Sequence, residues 1–254
     1  MKTHEDRVKR TFGKRAATYT TSKAHADPVS LEKIRALASP KPEWTVLDIA
    51  TGTGHLALAL APHVARVVGI DLTPEMLAEA EKLKAQYKMP HVEFRTGDVH
   101  GLPFDACSFD LVTCRRAPHH FSDIKKALQE IHRVLKPDRC VVIEDRSIPE
   151  DDFVDETMNK LDLLHDMSHV REYRPSEWRS LLLEAGFLVE MLELSAEHRP
   201  LTSLTMNVDA RNVKKIKAII SKLTRQQKEL MNIRDVNGQP YINHWFVQIK
   251  AKKA

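Results

Sequence analysis

The chain has 254 residues, of which 42% are hydrophobic, enough for a single α/β domain with a modest cap. Its 39 basic and 35 acidic residues leave a formal net charge of +4, which excludes the large basic excess of a polyanion-binding protein. No apolar run approaches the roughly twenty residues of a membrane span, and three isolated cysteines exclude a disulfide framework or a zinc motif.

The first element is helical. Apolar residues recur at helical spacing through residues 5–22, with lysines and arginines between them. A second helix is expected near Val29–Leu37, packed beside the first strand. The pattern leaves open whether the first segment packs on the sheet or covers a ligand.

A strand, a glycine turn and a helix follow. The apolar strand beginning at Val46 leads to Gly52 and Gly54, and the helix starts at Leu56. We expect a side chain at either glycine to block a ligand. Because Gly52-x-Gly54-x-x-Ala57 also fits the dinucleotide fingerprint, this unit alone does not identify the nucleotide.

The second strand ends at Asp71, about twenty residues beyond the glycines, where a ribose-binding acid falls in a βαβ unit. An ionised carboxylate can accept hydrogen bonds from two neighbouring ribose hydroxyls. The alternative is that Asp71 caps the next helix, but Thr73 followed by Pro74 is expected to do so.

Alternating strands and helices continue to the C-terminus. Further strands are expected at His91–Arg95, Ser108–Cys114, Cys140–Glu144, Phe187–Leu192 and Tyr241–Ile249. Further helices are expected at Ile124–Leu135, Phe153–Leu164 and between an N-cap at Ser176 and a C-cap at Gly186. The segment after the fifth strand leaves the sheet at its carboxyl edge, so it is expected to form a wall of the substrate pocket.

In this order, the motifs resemble those of class I S-adenosylmethionine-dependent methyltransferases, in the branch that includes ubiquinone/menaquinone C-methyltransferases (methyltransferase type 11). The matching pieces are Asp48-Ile-Ala-Thr-Gly-Thr-Gly54, Gly69-Ile-Asp71, Gly97-Asp-Val-His-Gly-Leu-Pro-Phe104, Phe109-Asp110, His119-His120-Phe121 and Arg133-Val-Leu-Lys-Pro137. They cover residues from about Trp44 to Asp145. Departures are Ala50 in place of a frequent glycine and Asp138-Arg139 in place of a Gly-Gly pair.

The resemblance implies an α/β fold with a Rossmann-like seven-stranded sheet, an antiparallel last strand between strands five and six, and helices on both faces. It implies an N-terminal helical lid at 1–40. The methyltransferase domain would occupy 41–254, with a small helical cap inserted at about 148–174.

The resemblance also implies a site for S-adenosyl-L-methionine. Its methionine part would lie along Asp48, Ala50, Thr51, Gly52, Thr53 and Gly54. Asp71 would hold the ribose, while Leu72 and Met76 would flank the adenine near Gly97. Asp98 would accept from the adenine amino group, the Val99 N–H would donate to a ring nitrogen, and Arg115 would lie near the cofactor carboxylate or the methyl group.

Candidate catalytic residues are His119 and His120, which follow the fourth strand at the crevice and can act as base or orienting group. A structural alternative is that these histidines pack the next helix. The lid supplies Phe12 and Tyr19 as pocket candidates, and the polar segment after Leu164 supplies His169 and Arg171 as weaker candidates for substrate binding. No metal-ligand pattern is present.

Three functions remain open: a small-molecule methyltransferase, which we favour, an NAD-dependent oxidoreductase, and a non-enzymatic scaffold or macromolecular methyltransferase. The basic stretch beginning at Arg211 is expected to be the solvated face of an amphipathic helix without nucleic-acid contacts. Arg115-Arg116-Ala117-Pro118 also lacks the tetrad that grips a flipped base. We expect a cytoplasmic monomer or homodimer with no signal peptide and no membrane span.

Overall fold

One mixed sheet organises the computed structural model, which describes residues 3–22 and 25–254. Its strands are β1 Thr45–Ile49, β2 Arg66–Asp71, β3 Val92–Thr96, β4 Phe109–Arg115, β5 Leu135–Ser147, β6 Phe187–Pro200, β7 Arg234–Val236 and β8 Gln239–Lys253. The α-helices of the described residues are α1 His4–Gly13, α2 Ala16–Thr20, α3 Pro28–Ala38, α4 His55–Leu60, α5 Pro74–Tyr87, α6 Ile124–Val134, α7 Asp152–His165, α8 Pro175–Glu184, α9 Ala210–Lys222 and α10 Arg225–Leu230.

The strand order is β3-β2-β1-β4-β5-β8-β6, and β7 pairs with β8. Strands β1 to β5 pair in parallel, whereas β8 runs antiparallel between β5 and β6, which confirms the predicted position of the last long strand. The additional strand β7 was not predicted. Asn237 and Gly238 both have positive φ, 53° and 81°, and join β7 to β8 in a two-residue hairpin turn.

The chain reverses its direction of crossover at β1, which lies between β2 and β4. In an open parallel sheet, the loops that leave such neighbouring strands separate and open a crevice at the carboxyl ends. The loops after β1, β2, β3 and β4 therefore meet at one edge of this sheet.

Apolar residues fill a core on each face of the sheet. One core packs α6 and α8 against the strands, and the other packs α3 and α4 against them. Helix α3 contributes Leu31 and Ile34 to the same cluster as Val46 of β1, as its predicted place beside the first strand requires. Within the predicted segment 1–40, α3 therefore belongs to the layer on the sheet, whereas α1 and α2 lie apart from both cores.

A third cluster forms the core of the cap. Val154, Met158 and Leu161 of α7 pack with Ile216 and Ile220 of α9. This confirms that α9 is amphipathic, with its basic residues on the opposite, exposed side. The apolar core of the cap therefore extends beyond the predicted insertion, because the segment between β6 and β7 supplies half of it.

Several predicted boundaries shift for local reasons. Strand β5 begins at Leu135, five residues early, because Leu135 already pairs with Phe109 before a register shift. The N-cap of α8 is Arg174 rather than Ser176, since Pro175 occupies the first helical position. The predicted N-terminal helix is divided into α1 and α2 by a turn at Lys14 and Arg15. None of the helices in the described ranges combines the length and the hydropathy that crossing a bilayer requires.

Candidate active site

A cavity opens at the carboxyl ends of β1 to β4, beneath α1, and encloses about 1070 Å³ including its open mouth. All the predicted cofactor residues except Gly54 line this cavity: Asp48, Ala50, Thr51, Gly52, Thr53, Asp71, Leu72, Met76, Gly97, Asp98, Val99 and Arg115. Of the candidates for pocket walls and catalysis, Phe12, Tyr19 and His120 also line it. We refer to it as the first cavity.

The two glycines of the turn differ in what surrounds them. Gly52 lines the first cavity with a φ of +55°, and a β-carbon placed on it would meet no atom within 4 Å. Gly54 has a φ of +84° and does not line the cavity, and a β-carbon there would lie 2.7 Å from Cζ of Phe94. The expectation that a side chain at Gly54 would block a ligand is therefore wrong, because it would strike the packed ring of Phe94.

Asp71 joins the glycine turn to the start of α5. Its Oδ2 accepts from the Gly52 N–H at 2.9 Å, and its Oδ1 accepts from the Thr73 N–H at 2.8 Å. Burial raises the pKa of Asp71, and these backbone donors oppose that shift. Each carboxylate oxygen keeps a second lone pair for a ligand hydroxyl. Thr73 was expected to cap α5, but its hydroxyl makes no capping bond and is buried without a partner in the described chain.

The loop after β3 presents both an acceptor and a donor to the first cavity. Oδ1 of Asp98 is held by the backbone N–H and the Nδ1 of His100, at 2.9 Å and 2.7 Å. Within the described residues, Oδ2 of Asp98 and the backbone N–H of Val99 have no hydrogen-bond partner. This pair matches the amino group and a ring nitrogen of an adenine, with Leu72 and Met76 as its apolar wall.

Asp48 and Arg115 line the first cavity, and hydrogen bonds hold both side chains in place. Asp48 is buried and accepts from the hydroxyls of Thr51 and Thr113, both at 2.6 Å. Burial raises the pKa of Asp48 to about 6. Arg115 donates to Glu144 at 3.1 Å, and burial lowers the pKa of its guanidinium.

The histidines after β4 are half-buried and are oriented through their Nδ1 atoms. His119 Nδ1 lies 2.6 Å from Oδ1 of Asp145, and the His119 N–H donates to Oδ2 at 2.7 Å. His120 Nδ1 donates to the Ser168 carbonyl at 3.0 Å. Burial lowers the pKa of both imidazoles to about 3 and raises that of Asp145 to about 7, so both rings are neutral near pH 7.

A second cavity of about 640 Å³, including its mouth, lies against His119 and His120. His120 and Tyr19 line both cavities, whereas His119 and His169 line only the second. Arg171, predicted to bind substrate, lines neither of the two cavities. Its guanidinium instead forms ion pairs with Asp155 and Glu177, at 2.9 Å and 2.8 Å.

Two charged residues of this region were missed by the sequence analysis. Asp145 orients His119, and Arg146 is half-buried in the wall of the second cavity. Their signal was their place near the carboxyl end of the fifth strand, beside β4, where ligand crevices form. No group of three or more His, Cys, Asp or Glu within residues 3–22 and 25–254 is arranged to hold a metal ion.

The sheet order, the glycine turn and the acids after β2 and β3 define an α/β nucleotide-binding fold of the methyltransferase type. Residues 46–138 match the family model described as "Methyltransferase domain". The chain is 42% identical over 170 residues, 67% of each chain, to the uncharacterized methyltransferase YcgJ of Bacillus subtilis (strain 168). It belongs to this methyltransferase family.

Two further comparisons extend this finding. The crystal structure of YcgJ from Bacillus subtilis covers 88% of this chain and 97% of its own, with a TM-score of 0.83 at 34% identity. The demethylmenaquinone methyltransferase of Chlorobaculum tepidum is 39% identical over 138 residues, 54% of this chain and 53% of that protein. The chain thus spans about half the length of this quinone-methylating relative.

Proposed function

We propose that this protein transfers a methyl group from S-adenosyl-L-methionine to a small molecule. The observation that carries the proposal is the set of unused hydrogen-bonding groups in the first cavity. Asp71 offers lone pairs to vicinal hydroxyls, while Asp98 and the Val99 N–H offer an acceptor and a donor to an adenine edge. The relatives named as demethylmenaquinone methyltransferases support a small-molecule acceptor.

The residues of the site contribute mainly position and a dry environment. When bound, S-adenosyl-L-methionine supplies a methyl group on a positively charged sulfur. The chain aligns an acceptor atom with that methyl group, and alignment is worth several kcal/mol of the barrier. His120, neutral and present in the walls of both cavities, is the candidate to take a proton from the acceptor, with His119 beside it.

Calorimetry with S-adenosyl-L-methionine and S-adenosyl-L-homocysteine tests the cofactor assignment. We expect the wild type to bind both at micromolar concentrations. Asp71→Asn should weaken both by about tenfold or more, because the amide loses a carboxylate acceptor and its charge. Asp105→Asn, which changes an exposed acid outside the cavity, is the matched control. Absence of binding by the wild type would contradict the proposal, and a titration with NADH would test the oxidoreductase alternative.

His120→Asn tests the proton-accepting role. The amide nitrogen of asparagine can replace Nδ1–H as donor to the Ser168 carbonyl, whereas the Nε2 atom is lost. With a metabolite extract and a radiolabelled methyl donor, we expect turnover to fall about a hundredfold while cofactor affinity changes little. An unchanged rate would assign His120 a structural role.

A further inference from the structure

The second cavity adjoins the first at His120 and Tyr19 and faces the cap. Its walls come from the turn after β4, from α7 and the segment that follows it, and from β8. A molecule held there lies next to the site proposed for the cofactor. The inference below rests on that proposed function, because it assigns the second cavity to the methyl acceptor.

The charges around the second cavity already neutralise one another. Arg146 is half-buried and pairs with Asp162 at 2.7 Å and with Glu172 at 2.5 Å, and burial raises the pKa of Glu172 well above its usual range, which favours its uncharged form. Arg15 pairs with Asp166 at 3.3 Å. A paired guanidinium leaves little unbalanced charge for an ionic ligand, so the cavity does not require an anion or a cation.

A third guanidinium in the wall, that of Arg199, is also engaged. It pairs with Glu197 and lies 5.1 Å from the ring centroid of Phe246. The three guanidiniums that line the second cavity among the described residues are therefore all paired with carboxylates.

Imidazoles supply the remaining polarity. One nitrogen of each ring is committed: His165 Nδ1 to the Leu204 carbonyl at 3.1 Å, and His169 Nε2 to Oδ1 of Asn159 at 3.1 Å. His119 and His120 are likewise held through Nδ1 by Asp145 and Ser168. Burial lowers the pKa of His119, His120 and His169 to about 3.

The second ring nitrogen of each of these four histidines has no hydrogen-bond partner among residues 3–22 and 25–254. Each of these nitrogen atoms is accessible to solvent. Because the committed nitrogens donate to the carbonyl oxygens of Ser168 and Leu204 and to the amide oxygen of Asn159, the open nitrogen of each of these three rings carries a lone pair in the neutral form of the ring. In that form it accepts a hydrogen bond and cannot donate one.

Apolar surface is scarce in this cavity. Leu204 is the one aliphatic side chain among the described residues that line it. A prenyl tail or a fused apolar ring would cover the open imidazole nitrogens without offering them hydrogen-bond partners, at a cost of about 1–3 kcal/mol for each buried group.

We propose that the second cavity binds the methyl acceptor, and that this acceptor is a compact, uncharged, hydrophilic molecule that donates O–H or N–H hydrogen bonds to the open nitrogens of His120, His165 and His169 and meets the open nitrogen of His119 with a hydroxyl or amide group. It therefore differs in class from the quinones in the names of the relatives. Two or more neighbouring hydroxyl or amide groups would satisfy rings as close as His119 and His120, whose centroids are 4.0 Å apart.

Nuclear magnetic resonance of ¹⁵N-histidine-labelled protein tests this proposal, in the presence of S-adenosyl-L-homocysteine. Fragments of four classes are added at millimolar concentration: uncharged polyols and amides, carboxylates and phosphates, amines, and prenylated aromatics. We expect the first class to shift the ring resonances of His119, His120, His165 and His169. In His165→Asn, which retains a donor for the Leu204 carbonyl but lacks Nε2, fragment affinity should fall roughly three- to tenfold.

His63→Asn, at an exposed histidine outside both cavities, is the matched control and should leave fragment affinity unchanged. A melting temperature for each variant distinguishes lost binding from lost folding. Binding confined to charged or prenylated fragments, or no binding by any class, would overturn the proposal. If S-adenosyl-L-homocysteine binds but no fragment of the first class does, the acceptor proposal is overturned and the cofactor proposal is retained. If S-adenosyl-L-homocysteine itself fails to bind, the proposed function falls separately.

Discussion

Ala50 lies at the start of the glycine turn with a φ of +51°, a left-handed conformation that costs an L-residue about 1–2 kcal/mol. Glycine adopts this conformation without that cost, but it adds about 0.4–1 kcal/mol of unfolded-state entropy. We therefore predict that Ala50→Gly raises the free energy of unfolding by about 0.5–1 kcal/mol, measured by urea denaturation.

Ala78→Gly is the control for this substitution. Ala78 is exposed in the middle of α5, where φ is helical, so the same chemical change should lower stability by about 1 kcal/mol. A loss of stability in Ala50→Gly as large as that in Ala78→Gly would show that residue 50 is not strained.

The two glycines of the turn are expected to respond differently to alanine. In Gly54→Ala, the new methyl group meets the ring of Phe94 and the backbone is strained. The free energy of unfolding should therefore fall by about 2–4 kcal/mol. In Gly52→Ala, only the backbone cost of about 1–2 kcal/mol applies, but the methyl group enters the first cavity. We expect Gly52→Ala to weaken S-adenosyl-L-homocysteine binding more than Gly54→Ala does, by calorimetry. Equal stabilities of the two variants would contradict this separation.

At the scale of elements, four buried or half-buried histidines come from three parts of the chain: His119 and His120 follow β4, His169 follows α7, and His244 lies in β8. Burial lowers the pKa of the first three to about 3 and that of His244 well below 6.5. The unfolded chain therefore binds more protons than the folded chain between about pH 3 and 6.5, and stability must fall as the pH decreases through that range.

Removing one of these groups should reduce that pH dependence. His169→Gln keeps a donor for Asn159 at the position of Nε2, and we predict that the slope of unfolding free energy against pH falls by up to about 1.4 kcal/mol per pH unit between pH 4 and 6. Asp145 acts with the opposite sign, because its raised pKa favours the folded protein at low pH. His63→Gln, at an exposed ring, is the matched control. A wild-type slope in His169→Gln would show that His169 is not buried as a neutral group.

The elements that sequence patterns predicted well are those whose signals are local. The strand before Gly52, the acid at Asp71 and the antiparallel β8 follow from residues that are neighbours along the chain. The second cavity was not predicted, because Arg15 and His244 reach it from opposite ends of the chain and only the fold brings them together. The position of Arg171 outside both cavities could not be predicted for a related reason, since its ion-pair partner Asp155 lies 16 residues earlier in the chain, in α7.

Pairing between distant segments also explains the missed strand. A three-residue strand such as β7 has almost no pattern of its own, and it forms because Asn237 and Gly238 return the chain onto β8. The second half of the cap core was overlooked similarly, since the apolar stripe of α9 has no partner until α7 is folded beside it.

At the scale of the whole molecule, α1 covers the first cavity without being anchored in a core. None of its residues is buried, although Val8 and Phe12 line the cavity. Its polar attachments include His4 to the His120 carbonyl at 2.8 Å and the Ser122 hydroxyl to Glu5 at 2.8 Å. A helix with so little buried apolar surface should open at a low free-energy cost, as the predicted lid at 1–40 would require.

We therefore predict that ligand binding slows amide hydrogen exchange in the lid. With saturating S-adenosyl-L-homocysteine, exchange in α1, α2 and the turn at residues 50–54 should slow several-fold or more, because the ligand would bridge the lid and the sheet. Helix α9 contributes no residue to the first cavity, so its exchange is the internal control and should not change. Protection of the turn without protection of α1 would show that α1 does not close over the ligand, whereas equal protection of α9 would indicate a general stabilisation of the protein.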